Sequence, residues 1–422
     1  MRPSRPPYDV VVVGLGLAGL VAALAATGRG ARTLVVGKGY GTLRFRPGTI
    51  DVLGYWDGRP VESPEAVVAT AGAVNSGHPY ALAADGLQPG VEAVRTAAAA
   101  AGLSLVGSLD ANHLVATAAG TLRPTCLAPA SLRAEWAGAS VAVVGLAGYR
   151  DIQPELVSAV LPAAGARRGI TLTARPVTVD LAALRRRHLG GLELARLFEE
   201  PGFRREVARA VRERLAGATV VAFPAVLGLR AAAEVEADLR EALGVPVVEL
   251  PTLPPSVPGL RLELALTRAL RAAGAVLQVG HGARLEPEGE RPGWVELATP
   301  AHPLRVRASS FVLATGGLAS GGLEVTLDGT VREPVAGLPV RPYGPAGPLF
   351  GRAFLESGGH PVGRAGVRVD AAMRPADPEG EPLHENLFAA GGMLACADRA
   401  VEKSADGIAC ATGWRAGQGA AA

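Results

Sequence analysis

"YDVVVVGLGLAGLVAALAATGRGARTLVVGKG", residues Tyr8 to Gly39, decides the fold of this chain. Four consecutive valines, Val10 to Val13, suit a strand buried on both faces. Gly14, Gly16 and Gly19 follow as G-x-G-x-x-G. Leu17 to Thr27 then reads as a helix and Thr33 to Val36 as a second strand, which makes a right-handed βαβ unit. The first glycine permits a tight turn, the second lets a pyrophosphate approach the backbone, and the third lets helix and strand pack closely. The amides at the helix start would face a phosphate. Dinucleotide sites of this kind place an acid about 20 residues later to accept from the ribose hydroxyls. Counting from Gly14 gives 37 − 14 = 23, and Gly37 stands there instead, with no acid between Val10 and Asp51. Either the adenosine half is held without that carboxylate, or there is no adenosine half.

Val10 to Gly28 carries no charge and approaches the roughly 20 apolar residues of a membrane helix. The leading valines and spaced glycines read instead as strand, turn and helix. "MRPSRPP" reads as a short disordered leader, so a cytoplasmic chain is expected. A length of 422 residues with 49% hydrophobic content allows a large core and two or three domains. The formal net charge is +3, and of 42 basic residues only Lys38 and Lys403 are lysines. Arginine is spread along the chain, which argues against a nucleic-acid surface, and "RRRH" at Arg185 to His188 reads as a solvated helix face. Cys126, Cys396 and Cys410 are too few and too dispersed for a disulfide framework or a four-thiolate cluster, and read as buried thiols.

From Gly39 to about Pro60 the chain reads as loop. Within it, "LRFRPGTIDVLG" carries Arg44, Arg46, Gly48 and Thr49. That loop either reaches over an isoalloxazine ring, with an arginine favouring the anionic reduced form, or presents solvated arginines. Residues 61–254 read as an inserted α/β region, with strands at Ser140 to Gly145, Thr171 to Val177, Ala218 to Phe223 and Val245 to Leu250. Helices are expected at Pro154 to Leu161, Glu193 to Leu215 and Ala231 to Leu243. The prolines and glycine of "LPTLPPSVPG" are expected to forbid a regular element. "LRLELALTRALRAAG" reads as an amphipathic helix, "AVLQVG" as a strand, and the stretches around "ARLEPE", "GWVELAT" and "LRVRAS" as a β-meander before the strand "FVLATGG". The fold class is therefore α/β: a discontinuous Rossmann-like flavin-binding domain of residues 1–60 and 255–422, interrupted by a substrate or cap domain of residues 61–254.

Two further glycine clusters follow strands: "VLATGG", with Thr315 and Gly316, and "ENLFAAGGMLACADRAVEKSADGIACATGWRAG", with Gly391 and Gly392 and then Asp406 and Gly407 at the start of an apolar helix. A helix amino terminus aimed at a flavin's pyrimidine carbonyl stabilises the negative charge of reduction. The order of these elements is similar to that of flavoproteins of the fumarate reductase type. Within that class the chain closely resembles the B subunits of anaerobic (quinone-dependent) glycerol-3-phosphate dehydrogenases, through "GLGLAGL", "GHPY" (Gly77 to Tyr80), "LPTLPPSVPGLRL" (Leu250 to Leu262), "SGGL" (Ser320 to Leu323), "REPVAGL" (Arg332 to Leu338) and "NLFAAGG". The resemblance implies FMN in this chain, with FAD as the alternative, an FAD-containing A subunit, and an iron–sulfur C subunit at the membrane. It further implies oxidation of glycerol 3-phosphate to dihydroxyacetone phosphate, with electrons reaching quinone through the partners. It places the chain on the inner face of the cell membrane, attached through its partner.

Candidate polar residues are His78, Arg261, Arg332, Glu333 and His360. Arg261 either grips a phosphate or carboxylate from a rigid loop or pairs with a neighbouring acid. His78 is either a base or a loop histidine satisfied by backbone, and Arg332 with Glu333 suits a salt-linked hinge as well as a site. Two other readings stand beside that of a complex component: a free-standing FAD oxidoreductase of the fumarate reductase type, and a flavin-free docking scaffold.

Overall fold

A computed structural model describes residues 7–185, 189–289, 291–300, 302–342, 348–356 and 358–422. The leader Met1 to Pro6 and most of the "RRRH" run, Arg186 to His188, lie outside the described residues; Arg185 itself pairs with Asp180 at 3.0 Å.

The main sheet starts as expected. β1 (Tyr8–Val13) leads through the glycine turn into α1 (Leu17–Gly28) and back to β2 (Thr33–Gly37), parallel to β1. The chain then leaves this sheet. α2 (Pro64–Val74), α3 (Pro79–Ala83) and α4 (Leu87–Ala100) pack their apolar sides into the same core as α1, through Val68, Tyr80, Val91 and Val94. Two short ribbons follow, pairing Leu105–Gly107 with Leu127–Pro129 and His113–Ala116 with Leu122–Thr125.

A second, four-stranded parallel sheet has its own core. It is built from β3 (Ser140–Leu146), α5 (Pro154–Ala166), β4 (Thr173–Val179), α6 (Gly191–Phe198), α7 (Pro201–Arg212), β5 (Val220–Pro224), α8 (Ala232–Leu243) and β6 (Val247–Leu250), in the strand order β4-β3-β5-β6. The one helix expected over Glu193 to Leu215 is two, because Pro201 has no amide for an interior helical bond and instead opens α7.

α9 (Val257–Ala272) carries the chain back to the first sheet. It begins inside the proline-rich phrase expected to exclude a regular element. Ser256 caps it, accepting from Gly259 N at 3.1 Å, and Pro258 occupies the first turn, where an absent N–H costs nothing. β7 (Val276–Val279) adds to β2, then β8 (Gly282–Glu288) and β9 (Arg291–Ala298) form the antiparallel meander. β10 (Leu304–Leu313) is a single ten-residue strand in place of the two expected: its start pairs with β9, and its end lies parallel to β1 and to β11 (Leu387–Ala389). α10 (Arg399–Glu402) and α11 (Ala405–Ala420) close the chain, with α11 lying along α1.

That last contact rests on small residues. A Cβ at Gly413 would lie 2.5 Å from the Ala18 carbonyl oxygen, and one at Gly417 would lie 2.1 Å from that of Ala22. The loop after β2 is less of a loop than its composition suggests, since Ile50, Val52 and Leu53 are fully buried. Cys126 and Cys410 are buried thiols, as expected; Cys396 is half-buried and accepts from the Arg341 guanidinium at 3.3 Å. Among the described residues no helix is long and apolar enough to cross a membrane.

Candidate functional site

The three glycine clusters meet at the carboxyl ends of β1, β10 and β11, where open α/β sheets bind ligands. Gly14 has φ +127°, and a Cβ there would stand 2.1 Å from the Ala314 carbonyl oxygen. A Cβ at Gly19 would stand 1.9 Å from the Gly14 carbonyl oxygen, so the helix rests directly on the turn. Gly391, with φ +75°, abuts Ala18 of α1, and Gly392 abuts Gly316 and Gly317. Gly16 differs from all of these, because a Cβ there meets nothing within 4 Å. It caps α1 without a side chain that could accept from the first-turn amides, which leaves those amides for an anionic oxygen. Thr315 lies beside this seam, its hydroxyl 3.7 Å from the Met393 sulfur.

At Gly37 the space is already taken: a Cβ would come within 3.2 Å of Leu15 Cδ1, and the Gly37 carbonyl accepts from Gly280 and His281 amides at 2.9 and 3.2 Å. The ribose carboxylate is missing, and so is ready room for one.

The loop "LRFRPG" is held by the proline-rich phrase. A Cβ at Gly48 would lie 2.7 Å from the Pro258 carbonyl oxygen, and one at Gly259 would lie 2.1 Å from Leu43 O and 2.3 Å from Arg46 O. Ser256 N donates to Arg44 O at 2.7 Å. Of the loop's two arginines, Arg44 is consumed by Glu263 at 2.5 and 2.9 Å and by the face of Tyr40. Arg46 turns the other way and donates to Asp406 at the start of α11.

There a cavity of about 180 Å³ opens, lined by Phe45, Arg46, Pro47, Asp51, Arg123, Arg399, Lys403, Ala405 and Asp406. Drug-sized pockets run to roughly 300–1,000 Å³, so this one suits a smaller, metabolite-sized ligand. Four of the lining groups are basic and two acidic, a formal excess of 4 − 2 = 2 positive charges. Arg123 pairs with Asp51, and Arg399 donates to Leu394 O at 2.9 Å. Burial pushes the Asp406 carboxyl up against the opposing pull of Arg46 and Arg123, and lowers both Arg123 and Arg399 from the ordinary arginine value. Lys403, with φ +51°, is brought down to about 8 by burial and by the neighbouring Arg123 and Arg168.

The other candidates lie elsewhere. Arg261 is buried and saturated: it holds both oxygens of Glu249, at 2.6 and 3.0 Å, and the Gly228 carbonyl, at 2.5 and 2.8 Å. Of its two readings, pairing with an acid is the one realised. His78 is buried, accepts from Tyr80 N at 3.1 Å to cap α3, and meets Glu402 at 3.2 Å. Glu402 in turn accepts from Ser404 at 2.7 Å, so His78 steadies the turn that carries Lys403 without lining the cavity. Arg332 is exposed; Glu333 is buried and accepts from the amides of Val335, Ala336 and Leu338 at 2.9, 2.8 and 3.4 Å, which closes a loop. His360 binds Gly351 N at 3.0 Å and approaches Phe354 O at 3.2 Å. Gly407 is a packing glycine, with Tyr80 Oη 2.1 Å from where its Cβ would be.

Arg123 escapes a reading of the sequence because it lies far from the other cavity groups and outside a motif; Arg399 and Lys403 stand four residues apart within the third glycine cluster, where the glycines and Asp406 carry the reading. Lys403 does carry a signal: in a chain that uses arginine for 40 of its 42 cations, a lysine marks a place where a guanidinium does not serve.

A glycine-floored cleft over the uncapped end of α1, opening toward a small cationic cavity, defines a flavin-binding oxidoreductase. The family described as "FAD binding domain" matches residues 9–408. The chain is 36% identical to a probable B subunit of anaerobic glycerol-3-phosphate dehydrogenase from Halobacterium salinarum, over 98% of this chain and 97% of that one. It is 32% identical to the B subunit of anaerobic glycerol-3-phosphate dehydrogenase from Pectobacterium atrosepticum, over 95% of each. Among solved structures, the open conformation of a flavocytochrome c3 fumarate reductase overlaps all of this chain and 79% of that one, with 12% identity and a TM-score of 0.47. This chain belongs to the family of anaerobic glycerol-3-phosphate dehydrogenase B subunits, within the FAD-binding class.

Proposed function

We propose that this chain is the flavin-bearing subunit of a respiratory glycerol-3-phosphate dehydrogenase, and that the cationic cavity receives the substrate. The observation that carries this reading is a cavity of about 180 Å³ in which three guanidiniums and a lysine face two carboxylates, and whose Arg399 reaches to 3.6 Å from where a Cβ of Gly317, in the glycine cleft, would be. A phosphate monoester carries about −1.5 to −2 at neutral pH, and glycerol 3-phosphate is small enough for the space.

In this reading Gly14, Gly16 and Gly19 floor the flavin's phosphate at the amides of α1. Thr315, Gly316, Gly391 and Gly392 wall the cleft, and Arg46, Gly48 and Asp406 frame the isoalloxazine end, with Gly407 packed behind Asp406. Bound flavin supplies a two-electron acceptor for the carbinol hydride. The chain's own groups bind and orient: Arg123 and Arg399 hold the phosphate, and Arg46 places positive charge where the reduced ring would carry negative charge. We propose FMN as the flavin, on the missing carboxylate and closed space at Gly37; FAD, named in the family's description, is the alternative. The second sheet is the inserted domain in the same proposal, but α2 to α4 share the core of α1, so its first boundary falls well after the expected residue 60, while the expected 254 lies just before α9.

The relatives are each named as one component of a larger enzyme, which supports a multi-subunit assembly. An FAD-containing A subunit and an iron–sulfur C subunit at the inner face of the membrane would complete it, passing electrons to quinone. Heat release and chromatography against FMN and FAD standards identify the flavin, and anaerobic mixing with glycerol 3-phosphate tests the activity. About one flavin per chain, bleached by glycerol 3-phosphate, is expected. A colourless chain in the complete assembly, or a flavin untouched by that substrate, overturns the reading.

A further inference from the structure

Oxidation of a secondary alcohol releases a proton as well as a hydride, and the cavity lining holds one group suited to take it. Asp51 and Asp406 are occupied by Arg123 and Arg46. Three of the four cations are guanidiniums, which stay protonated at any working pH. The fourth is Lys403, and among the described residues no carboxylate pairs with it.

Its placement is built. Lys403 follows the short helix α10 in the left-handed region, φ +51°, where a non-glycine residue is uncommon and strained. Gly54 N donates to Glu402 O at 2.9 Å, and the space over Gly54 is filled by the Lys403 stem, with Cβ 3.0 Å and Cδ 3.2 Å from where a glycine Cβ would be. Pro124 fills the same place at 3.1 Å. On the other side, Glu402 is fixed by His78 at 3.2 Å and Ser404 at 2.7 Å, and its own partner Asp398 N lies at 2.9 Å. The stem is therefore clamped, and Lys403 lines the cavity.

We infer that Lys403 is the proton acceptor of the reaction: its neutral Nζ takes the substrate hydroxyl proton as the carbinol carbon gives up its hydride. This inference rests on the proposed oxidation of glycerol 3-phosphate. The carbinol C–H and the O–H break, the carbonyl forms, two electrons leave with the hydride for the bound flavin, and the proton leaves as the Lys403 ammonium. The charged groups that face this lysine are Arg46, Asp51, Arg123, Arg399 and Asp406 of the cavity, with Arg168 and the adjoining Glu402; burial first, and then Arg123 and Arg168, bring the amine down to about 8, so a working fraction is neutral at physiological pH.

Two lysines in the chain make a direct measurement practical. Reductive methylation of the full chain with 13C-formaldehyde labels Lys38, Lys403 and the amino terminus, and Lys38→Arg and Lys403→Arg assign the resonances. The Lys403 signal is expected to titrate near 8. In the complete enzyme, single-turnover reduction of the flavin by glycerol 3-phosphate should slow about 10²–10⁴-fold in Lys403→Ala. Lys403→Arg should be as slow although it keeps the charge, and small primary alkylamines should partly restore Lys403→Ala. A fast Lys403→Arg enzyme, or a Lys403 resonance that titrates at the ordinary lysine value of about 10.4, overturns the inference. Failure of the wild-type flavin to be reduced by glycerol 3-phosphate overturns the proposed function instead, and the two outcomes are read separately.

Discussion

Two arginine-bearing regions are equally suggestive in the sequence and unlike in the structure. At the seam of β6 and α9, Arg261 meets Glu249 and the Gly228 carbonyl, and every direction of its fork is used. At the mouth of α11, four cations share two carboxylates. The first arrangement joins the second sheet to the helix that returns to the first; the second leaves positive charge for a ligand. An arginine in a proline-rich phrase, here in the first turns of α9, is therefore no guide to binding until the acids around it are counted. The proline-rich phrase still serves the site, because Pro258 and Gly259 press on Gly48 and Arg46 and aim the loop.

The largest effect tests the cleft that both regions support. Gly19→Leu drives a side chain into the Gly14 carbonyl, 1.9 Å from the added Cβ, and should abolish flavin retention. Gly16→Val is its companion, since nothing lies within 4 Å of that Cβ: the chain should fold, by circular dichroism, and still lose flavin. Normal flavin content in both would remove the motif from the site.

Next in size is the closed pair. Arg261→Ala strands a buried carboxylate and should cost about 3–5 kcal/mol in denaturant unfolding, with the KM for glycerol 3-phosphate unchanged in the folded protein. A raised KM with unaltered stability would reverse the contrast between the two regions.

The smallest effect lies in the turn between them. Burial raises the Glu402 carboxyl, but hydrogen bonding and charge from His78, with Ser404, outweigh it and hold the group below the ordinary glutamate value. A depressed carboxyl contributes stability that is fully present above its unfolded pKa and is lost as pH falls through the folded one. Glu402→Gln should therefore destabilise by about 1.5–3 kcal/mol at neutral pH, and the gap to wild type should begin to narrow below about pH 4, the ordinary glutamate range, and close as the lowered Glu402 carboxyl is itself protonated. A gap independent of pH would show that shape, not charge, holds the turn.

The sequence by itself determined the parts governed by neighbours along the chain. The Val10 to Val13 run with Gly14, Gly16 and Gly19 specifies the βαβ opening, because strand burial, turn geometry and close helix packing are local demands on residue type. Alternating polarity marks the meander, and strand-then-glycine phrases mark the walls of the cleft. Local rules also misread some boundaries: Ser256 rescues a helix start amid prolines, and Pro201 divides a continuous pattern. Tertiary structure decided the rest, because charge has no period. Arg46, Arg123, Arg399 and Lys403 come from the first loop, a ribbon of the middle segment and the last turn of the chain, and only folding sets them around one cavity. Whether a cation is spent or available depends on which acids arrive beside it, and that is fixed by packing between segments as distant as Arg46 and Asp406.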